Sequence, residues 1–198
     1  RAMPLSGRLA GRTALEMLED LDQDNVLRKA LAVASLNALS SLCQEKDPPQ
    51  DYEIVYDADA FDMVTIPQGG KTVVVGALVP MLKKLIAAQA DFTVLEQDIR
   101  TLKGQELEHF APAEDAPRHV PDADLLVITG TTVLNDSLPG LLELAKAGSE
   151  ILVTGPTASM VPDAFFKRGV TLTGGIVVTD PDALLDVISE AGSGYHFF

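Results

Sequence analysis

The sequence predicts an α/β protein: a Rossmann-like, doubly wound parallel sheet preceded by a small helical N-terminal segment. From about residue 71, short apolar runs alternate with stretches of helical periodicity. The runs are almost continuously apolar, which is typical of strands covered on both faces. Strands that alternate with helices imply parallel βαβ units with right-handed crossovers. Each run also ends in glycine, threonine or an acid, which indicates a function at one edge of the sheet.

Residues 1–50 are predicted to form the helical segment, and residues 51–198 the Rossmann-like domain. Two amphipathic stretches, "GRTALEMLEDL" and "DNVLRKALAVASLNALSSL", predict a short helix and a long one, the second with Asp24 as its N-cap. The stretch "QEKDPPQD" predicts a connection, because it holds two prolines and four charges. The long helix is expected to pack through apolar residues at helical spacing: Leu27, Leu31, Ala34, Ala38 and Leu42.

The alternation after residue 71 gives five strands and four helices. The predicted strands, in chain order, are "KTVVVG", "FTVLE", "ADLLVITG", "EILVTG" and "VTLTGG". The predicted helices are "VPMLKKLIAAQ", "LPGLLELAKAG", "VPDAFFKRG" and "PDALLDVISEAG". An acidic, poorly periodic stretch from about 97 to 121 separates the second strand from the third and is assigned no strand.

Composition excludes several classes of partner. The chain has 198 residues and a net charge of −14, which disfavours nucleic acid and anionic membranes because both reward excess Lys and Arg. Its single cysteine excludes an internal disulfide framework and favours a reducing compartment. No continuous apolar run reaches the roughly 18 residues of a membrane span, and no charged leader with an apolar core is evident. A soluble cytoplasmic protein is therefore expected.

The strand ends predict a ligand crevice. In an open parallel sheet, ligands bind outside the carboxyl ends of the strands, where helix N-termini present free N–H groups. Glycine permits close backbone approach, and threonine and serine are compact donors and acceptors. The alternative is that these residues only form turns and cap helices. The candidate ligand-binding residues are Gly76, Glu96, Thr129, Gly130, Thr131, Thr132, Asn135, Gly155, Pro156, Thr157, Ser159, Gly174, Gly175, Asp180 and Asn37.

Two of these candidates carry a more specific hypothesis. The stretch "VVVGALVPML" has one glycine where the dinucleotide fingerprint needs three. Glu96, however, ends the second strand 20 residues after Gly76 (96 − 76), where such folds place an acid on ribose hydroxyls. A nucleotide-like ligand and a merely solvated Glu96 both stay open. Asn37, within the long helix, must bond either backbone at a domain interface or the ligand.

Most of the chain resembles a known family. The stretch "GRLAGRTALEML…NVLRKALAVASLNALSSL" is similar to the helices of an enolase-N-terminal-like domain, and "VVVGALVPML", "FTVLEQD", "PDADLLVITGTTVLNDSLPGLLELA", "TGPTASMVPDAFFKRGVTLTGG" and "VVTDPDALL" resemble the Rossmann-like domain that follows it. This is the "putative heavy-metal chelation" family of mostly uncharacterised prokaryotic proteins. The resemblance implies a cleft between the two domains. It also implies that the N-terminal domain is incomplete here, because members usually begin with strands that this sequence lacks.

The sequence contains few of the residue types that would bind the heavy metal named in the family's description. Soft metals prefer thiolate and imidazole, and the chain has one Cys and three His, without CxxC or HxxxH. Cys43 is expected to pack inertly, and His109, His119 and His196 are expected at the surface. A hard-cation site from Glu96, Asp98 and Asp180 stays an alternative. A metal carried by an organic chelate that the protein grips is also open, so neither metal nor cofactor is assigned.

No catalytic motif is evident, so whether the chain is an enzyme stays open. Thr131, Thr132, Thr157 and Ser159 lack a neighbouring histidine base in their loops and are interpreted as binding groups. The leading hypothesis is a binding protein for a small metal-linked or anionic ligand. The alternatives are an enzyme with a nucleotide-like cofactor and a scaffold that binds another protein. A homodimer is expected from the apolar face of the long helix and from the tail residues Tyr195, Phe197 and Phe198.

Overall fold

The computed structural model describes residues 4–192 and contains one parallel six-stranded sheet. The strands are β1 (Lys71–Val75), β2 (Asp91–Glu96), β3 (Phe110–Pro112), β4 (Leu125–Thr129), β5 (Glu150–Thr154) and β6 (Leu172–Gly174). Their spatial order is β3-β2-β1-β4-β5-β6, and every neighbouring pair is parallel. The predicted α/β fold with a parallel sheet is confirmed.

Helices flank this sheet and precede it. The α-helices are α1 (Ala14–Leu18), α2 (Val26–Lys46), α3 (Val79–Ala87), α4 (Ala116–His119), α5 (Leu138–Leu144), α6 (Asp163–Phe166) and α7 (Pro181–Ser189). Short 3-10 turns fill several loops, including Gly130–Val133 after β4 and Pro156–Ala158 after β5. Each predicted helix therefore has a counterpart, although several are shorter than their periodic stretch.

The sheet has one strand more than predicted, in the acidic stretch between β2 and β4. Strand β3 has three residues and pairs with β2 through Ala111 and Leu95. It is an edge strand that ends in Pro112, and such a position tolerates proline because one side of the strand needs no donor. The prediction of no strand between 97 and 121 was wrong, because three residues are too few to show a periodic pattern.

Both faces of the sheet are covered. On one face Val73, Leu126 and Val153 belong to a buried cluster with Leu141 of α5 and Phe165 of α6. The alternate residues of the same strands face the other way. There, Val74, Val127 and Leu152 pack with Leu82 and Leu85 of α3. The continuous apolar runs in the sequence are explained by this arrangement, since each strand residue contacts one of the two layers.

Helix α2 docks through the face opposite to the predicted one. Its buried residues include Lys29, Val33 and Ser40, which share one face at helical spacing with Asn37; we call this the docked face. The residues predicted to pack lie on the other side, where Leu42 is 53% exposed. We call that set, Leu27, Leu31, Ala34, Ala38 and Leu42, the outer stripe.

The first turn of α2 also differs in detail from the prediction. The N-cap is Asn25 instead of Asp24, and its side-chain oxygen accepts the backbone N–H of Leu27 at 3.1 Å and of Arg28 at 3.3 Å. An asparagine oxygen one residue later reaches two of the unpaired N–H donors of the first turn, which is the usual function of an N-cap. The predicted division at residue 50 stays a prediction.

The membrane prediction needs one correction. By length and composition alone, α2 is long and apolar enough to cross a bilayer. This is weak evidence, because core helices and signal sequences have the same properties. The docked face carries a lysine and an asparagine that bond to loops of the sheet, and the α/β fold is of a type common in soluble proteins. A cytoplasmic location stays a prediction.

Candidate functional site

The strand order places a topological switch point between β1 and β4. Chain connections leave the sheet in opposite directions from this pair, and α/β sheets bind ligands at such a switch point. Gly76 follows β1 with a φ of +93°, and a Cβ on it would lie 2.8 Å from Thr129 Cγ2. Thr129 Oγ1 in turn lies 3.2 Å from Thr131 Oγ1, and Thr131 is exposed. The switch point therefore presents two threonine hydroxyls beside a closely approaching backbone.

The loops after β4 and β5 pack directly against each other. A Cβ on Gly130 would lie 3.0 Å from the backbone N of Ala158 and 3.3 Å from Thr157 Cβ. Gly155, with a φ of +121°, donates its N–H to the Gly174 carbonyl at 2.9 Å and so joins the β5 loop to the end of β6. The two loops are therefore neighbours, and at Gly130 no space separates them.

The hydroxyl groups in these loops have different roles. Thr132 is buried, and its Oγ1 donates to the Thr129 carbonyl at 2.7 Å, so it stabilises the turn from inside. Ser159 Oγ donates to the Pro156 carbonyl and accepts the N–H of Ile176, both at 2.9 Å. Both hydroxyls are engaged within the protein. The exposed Thr131 hydroxyl contacts only the Thr129 hydroxyl among the described residues.

Gly174 and Gly175 lie beside the β5 loop and provide close packing. A Cβ on Gly174 would lie 2.5 Å from Thr154 Oγ1, and one on Gly175 would lie 2.8 Å from Ser159 Oγ. Neither position has room for a side chain. These glycines bring the chain after β6 against the β5 loop, and this explains their presence without a ligand.

Asn37 joins the N-terminal segment to the sheet. Its Nδ2 donates to the carbonyls of Pro156 at 3.1 Å and Thr157 at 3.2 Å. Its Oδ1 is buried and has no partner among the residues that the structure describes. The interface alternative for this residue is therefore the one that the geometry supports.

Lys29 is a component of this region that the sequence reasoning missed. It is only 7% exposed, and its Nζ lies 2.5 Å from Asp136 Oδ2 in the segment after the β4 turn. Its spacing of four and eight residues from Val33 and Asn37 was the available signal, since it places the lysine on the same helix face. The docked face thus spans from the β4 loop to the β5 loop.

Glu96 ends β2, where nucleotide-binding folds of this type place an acid on the ribose. Its carboxylate, however, already accepts three backbone N–H groups. Its Oε2 accepts the N–H of Ala77 at 2.8 Å, and its Oε1 accepts those of Gln97 at 2.7 Å and Asp98 at 3.2 Å. The carboxylate therefore ties the turn after β1 to the end of β2. It reaches the switch point through Ala77, the residue next to Gly76.

Two candidates cap local structure instead. Asn135 is exposed, and its Oδ1 accepts the N–H and the hydroxyl of Ser137 at 3.2 and 2.7 Å, as in an Asx turn. Asp180 is the N-cap of α7 and accepts the N–H of Ala183 at 3.0 Å. No hydrogen bond joins either side chain to the switch-point residues in the described part of the chain.

Comparison with known families decides the identity of the fold. The model of the DUF364 family, described as "putative heavy-metal chelation", matches residues 59–198. The DUF4213 model, with the same description, matches residues 1–40. The chain belongs to the DUF364 family. The resemblance stated from the sequence motifs is confirmed.

Relatives of this DUF364 protein are of unknown function. An uncharacterized protein of Methanocaldococcus jannaschii is 27% identical over 185 residues, which are 92% of this chain and 67% of that protein. A DUF364 structure from Pyrococcus horikoshii has a TM-score of 0.73 at 20% identity and covers 91% of this chain and 69% of its own. Another, from Desulfitobacterium hafniense, has a TM-score of 0.71 at 22% identity, with coverage of 96% and 72%. At these identities the two structures show the fold alone.

The described residues of this DUF364 protein do not fit a directly bound heavy metal. No three His, Cys, Asp or Glu side chains within residues 4–192 are placed to hold one ion. The hard-cation hypothesis fails on the same ground, because Glu96 binds backbone, Asp180 caps α7, and Asp98 pairs with Arg100. The hydrogen bonds from the Arg100 side chain and backbone lower the pKa of Asp98. Cys43, expected to pack, is free and exposed.

The two described histidines, His109 and His119, do not line the switch point between β1 and β4. His109 stacks on Phe92 with ring centroids 3.7 Å apart, and His119 lines the same cavity of about 320 Å³ near the amino end of β2. Both are half-buried, so the surface prediction for them was wrong; His196 and the aromatic tail lie outside the described residues. A second cavity, of about 600 Å³, lies where α2 meets the following linker at Tyr52. Neither cavity includes the switch-point threonines.

Proposed function

We propose that this DUF364 protein binds a small anionic ligand, such as a metal chelate, in the crevice at the carboxyl ends of β1 and β4. One observation carries the proposal: the exposed Thr131 hydroxyl meets the Thr129 hydroxyl beside Gly76, at the switch point of the sheet. Helix α2 lies over the neighbouring loops and forms the second wall.

The charge balance defines how such a ligand is held. At a net charge of −14 the protein repels anions at long range, so binding must depend on local hydroxyl and N–H donors. A metal would enter with its chelator, since the described side chains do not supply a ligand set of their own. This interpretation agrees with the family's description without a protein-metal bond.

Thr131→Val should weaken ligand binding by about 1–3 kcal/mol, because it removes a donor and keeps the volume. Thr157→Val is expected to act in the same direction, since no hydrogen bond to another residue occupies the Thr157 hydroxyl in the described part of the chain. The free energy of unfolding should change little in both. Isothermal titration with citrate and phosphate, each with and without nickel, provides the measurement.

Thr65→Val is the matched control, because Thr65 is exposed and its backbone N–H binds Glu150, at the opposite end of the strands. Its affinity should equal that of the unmodified protein. Loss of stability with full affinity in the Thr131 and Thr157 variants would leave these residues as turn formers only, and the proposal would fail.

The second candidate function is an enzyme that uses a nucleotide-like cofactor. The strand order of the sheet and the position of Glu96 after β2 favour it. The three backbone N–H groups on Glu96 weigh against it, because a ribose would have to compete with them. The same titrations with adenosine, which has the base and ribose but no anionic group, separate the two functions. A scaffold that binds a partner protein would respond to neither set.

We also propose that the outer stripe of α2 packs against a second copy of this chain. Leu27 and Leu42 are 37% and 53% exposed, and the two alanines between them permit close helix approach. An antiparallel pair brings Glu45 and Lys46 of one copy beside Arg28 and Asp24 of the other, so that opposite charges meet at both ends. A parallel pair would instead place like charges together.

Light scattering should therefore show a dimer at micromolar concentration, and Leu42→Glu should convert it to a monomer by burying a charge in the pair. Leu185→Glu, at a 62% exposed position on α7, is the control and should stay dimeric. A monomeric unmodified chain at that concentration would contradict the proposal.

A further inference from the structure

The ion pair between Lys29 and Asp136 is unequal. The Lys29 side chain is 9% exposed, whereas that of Asp136 is 73% exposed. An ammonium has three donors, and the contact with Asp136 Oδ2 at 2.5 Å is its one hydrogen bond among the described residues. Burial of a charge is unfavourable unless it is paired and well hydrogen-bonded. Lys29 therefore has capacity for a further acceptor.

Asp136 is held in an unfavourable backbone conformation. Its φ is +59°, a region that residues other than glycine rarely adopt, although Asp does so more readily than most. Its carboxylate is mostly in solvent, so release from Lys29 would restore its hydration at little cost. The carboxylate can leave the ammonium without moving any buried group.

The ammonium lies on the same helix face as the amide that bonds the β5 loop. Lys29 lies on the docked face with Asn37, which bonds the β5 loop, while Lys29 itself bonds the segment after the β4 turn. The donors at the switch point, Thr129 and Thr131, are uncharged. Lys29 thus supplies positive charge to a region whose other donors are neutral, within a protein of net charge −14.

We propose that Lys29 is the anion-recognising residue of the crevice and that Asp136 occupies its ammonium until a ligand carboxylate or phosphate replaces it. This inference rests on the proposed function and names its ligand class: a molecule with a free carboxylate or phosphate group. Asp136 then competes with the ligand. The apparent affinity is the intrinsic affinity multiplied by the fraction of molecules in which the lysine is free.

The test is titration with citrate and with inorganic phosphate at low ionic strength. Asp136→Asn keeps the shape and removes the competing charge, so affinity for both probes should rise about tenfold. Lys29→Met should lower it at least tenfold, and Lys29→Arg should restore part of it. Arg28→Gln is the control, because Arg28 pairs with Asp20 on a different face of α2; its affinity should not change.

A purely structural ion pair would give the opposite sign for Asp136→Asn, because loss of the pair would loosen the loop and weaken binding. Unchanged or reduced affinity in that variant therefore overturns the inference, even if Lys29→Met merely fails to fold. Failure of the Thr131→Val prediction instead overturns the proposed function. If neither probe binds the unmodified protein or Asp136→Asn, the ligand class named here is wrong, and the adenosine titration still tests the crevice.

Discussion

Gly76→Ala should lower the free energy of unfolding by about 2–6 kcal/mol, measured by urea denaturation. Two costs add at this position. The φ of +93° is strained for any residue with a side chain, which costs about 1–3 kcal/mol. The new methyl would also lie 2.8 Å from Thr129 Cγ2, and overpacking adds about 1–3 kcal/mol.

Two other glycines separate these costs. Gly69 has a φ of +71° with nothing within 4 Å of a Cβ, so Gly69→Ala carries the strain alone. Gly140 lies in α5 with open space around it, and alanine there should be neutral or stabilising by up to about 1 kcal/mol. Equal losses for Gly76→Ala and Gly69→Ala would show that Thr129 does not pack closely on the β1 turn.

The same substitution bears on function. Because Thr129 is β-branched, it cannot move its methyl away from Gly76 without rotating the hydroxyl that contacts Thr131. Gly76→Ala should therefore weaken ligand binding as well as stability, whereas Gly69→Ala should affect stability alone. This difference connects the turn after β1 to the threonine pair after β4.

The sheet could be predicted from the sequence because each long strand is buried on both faces. Strands such as β1 and β4 consist of nearly uninterrupted aliphatic residues, and this pattern depends on the local chain alone. Strand β3 could not be found in that way. Its three residues become a strand only because the longer β2 offers them hydrogen bonds.

The docking of α2 was predicted on the wrong face because both faces of the helix are rich in alanine and leucine. Periodicity alone cannot choose between two such faces. The choice is made by Lys29 and Asn37, whose partners lie 107 and 119 to 120 residues away in the chain. Contacts over that separation are not visible in a single sequence.

At the candidate site, residues of the same type could not be told apart from the sequence. The adjacent residues Thr131 and Thr132 were equivalent candidates, yet one is exposed and the other supports the turn from inside. Asp180 and Asn135 were proposed for the ligand and cap local structure instead. The sequence predicts small polar residues at the carboxyl edge of the sheet, but the direction of each side chain depends on backbone geometry.

Asn37→Asp should cost about 2–4 kcal/mol and release α2 from the sheet. The substitution is isosteric, but it replaces the donor that bonds the Pro156 and Thr157 carbonyls with a negative charge facing both oxygens. An unsatisfied buried group costs about 1–3 kcal/mol, and more when it is charged. Hydrogen exchange should show loss of protection along α2 before the strands lose theirs.

Asn37→Leu separates the lost hydrogen bonds from the added charge. It removes the donor without introducing a carboxylate, so its cost should be smaller, about 1–2 kcal/mol. Acidification should partly rescue Asn37→Asp and not Asn37→Leu, since the new carboxyl has its pKa raised by the two carbonyls and donates one hydrogen bond once protonated. The unmodified protein at each pH gives the reference. If α2 stays fully protected in Asn37→Asp, the apolar contacts of Ala32 and Val33 hold the helix, and the amide is not what positions it over the β5 loop.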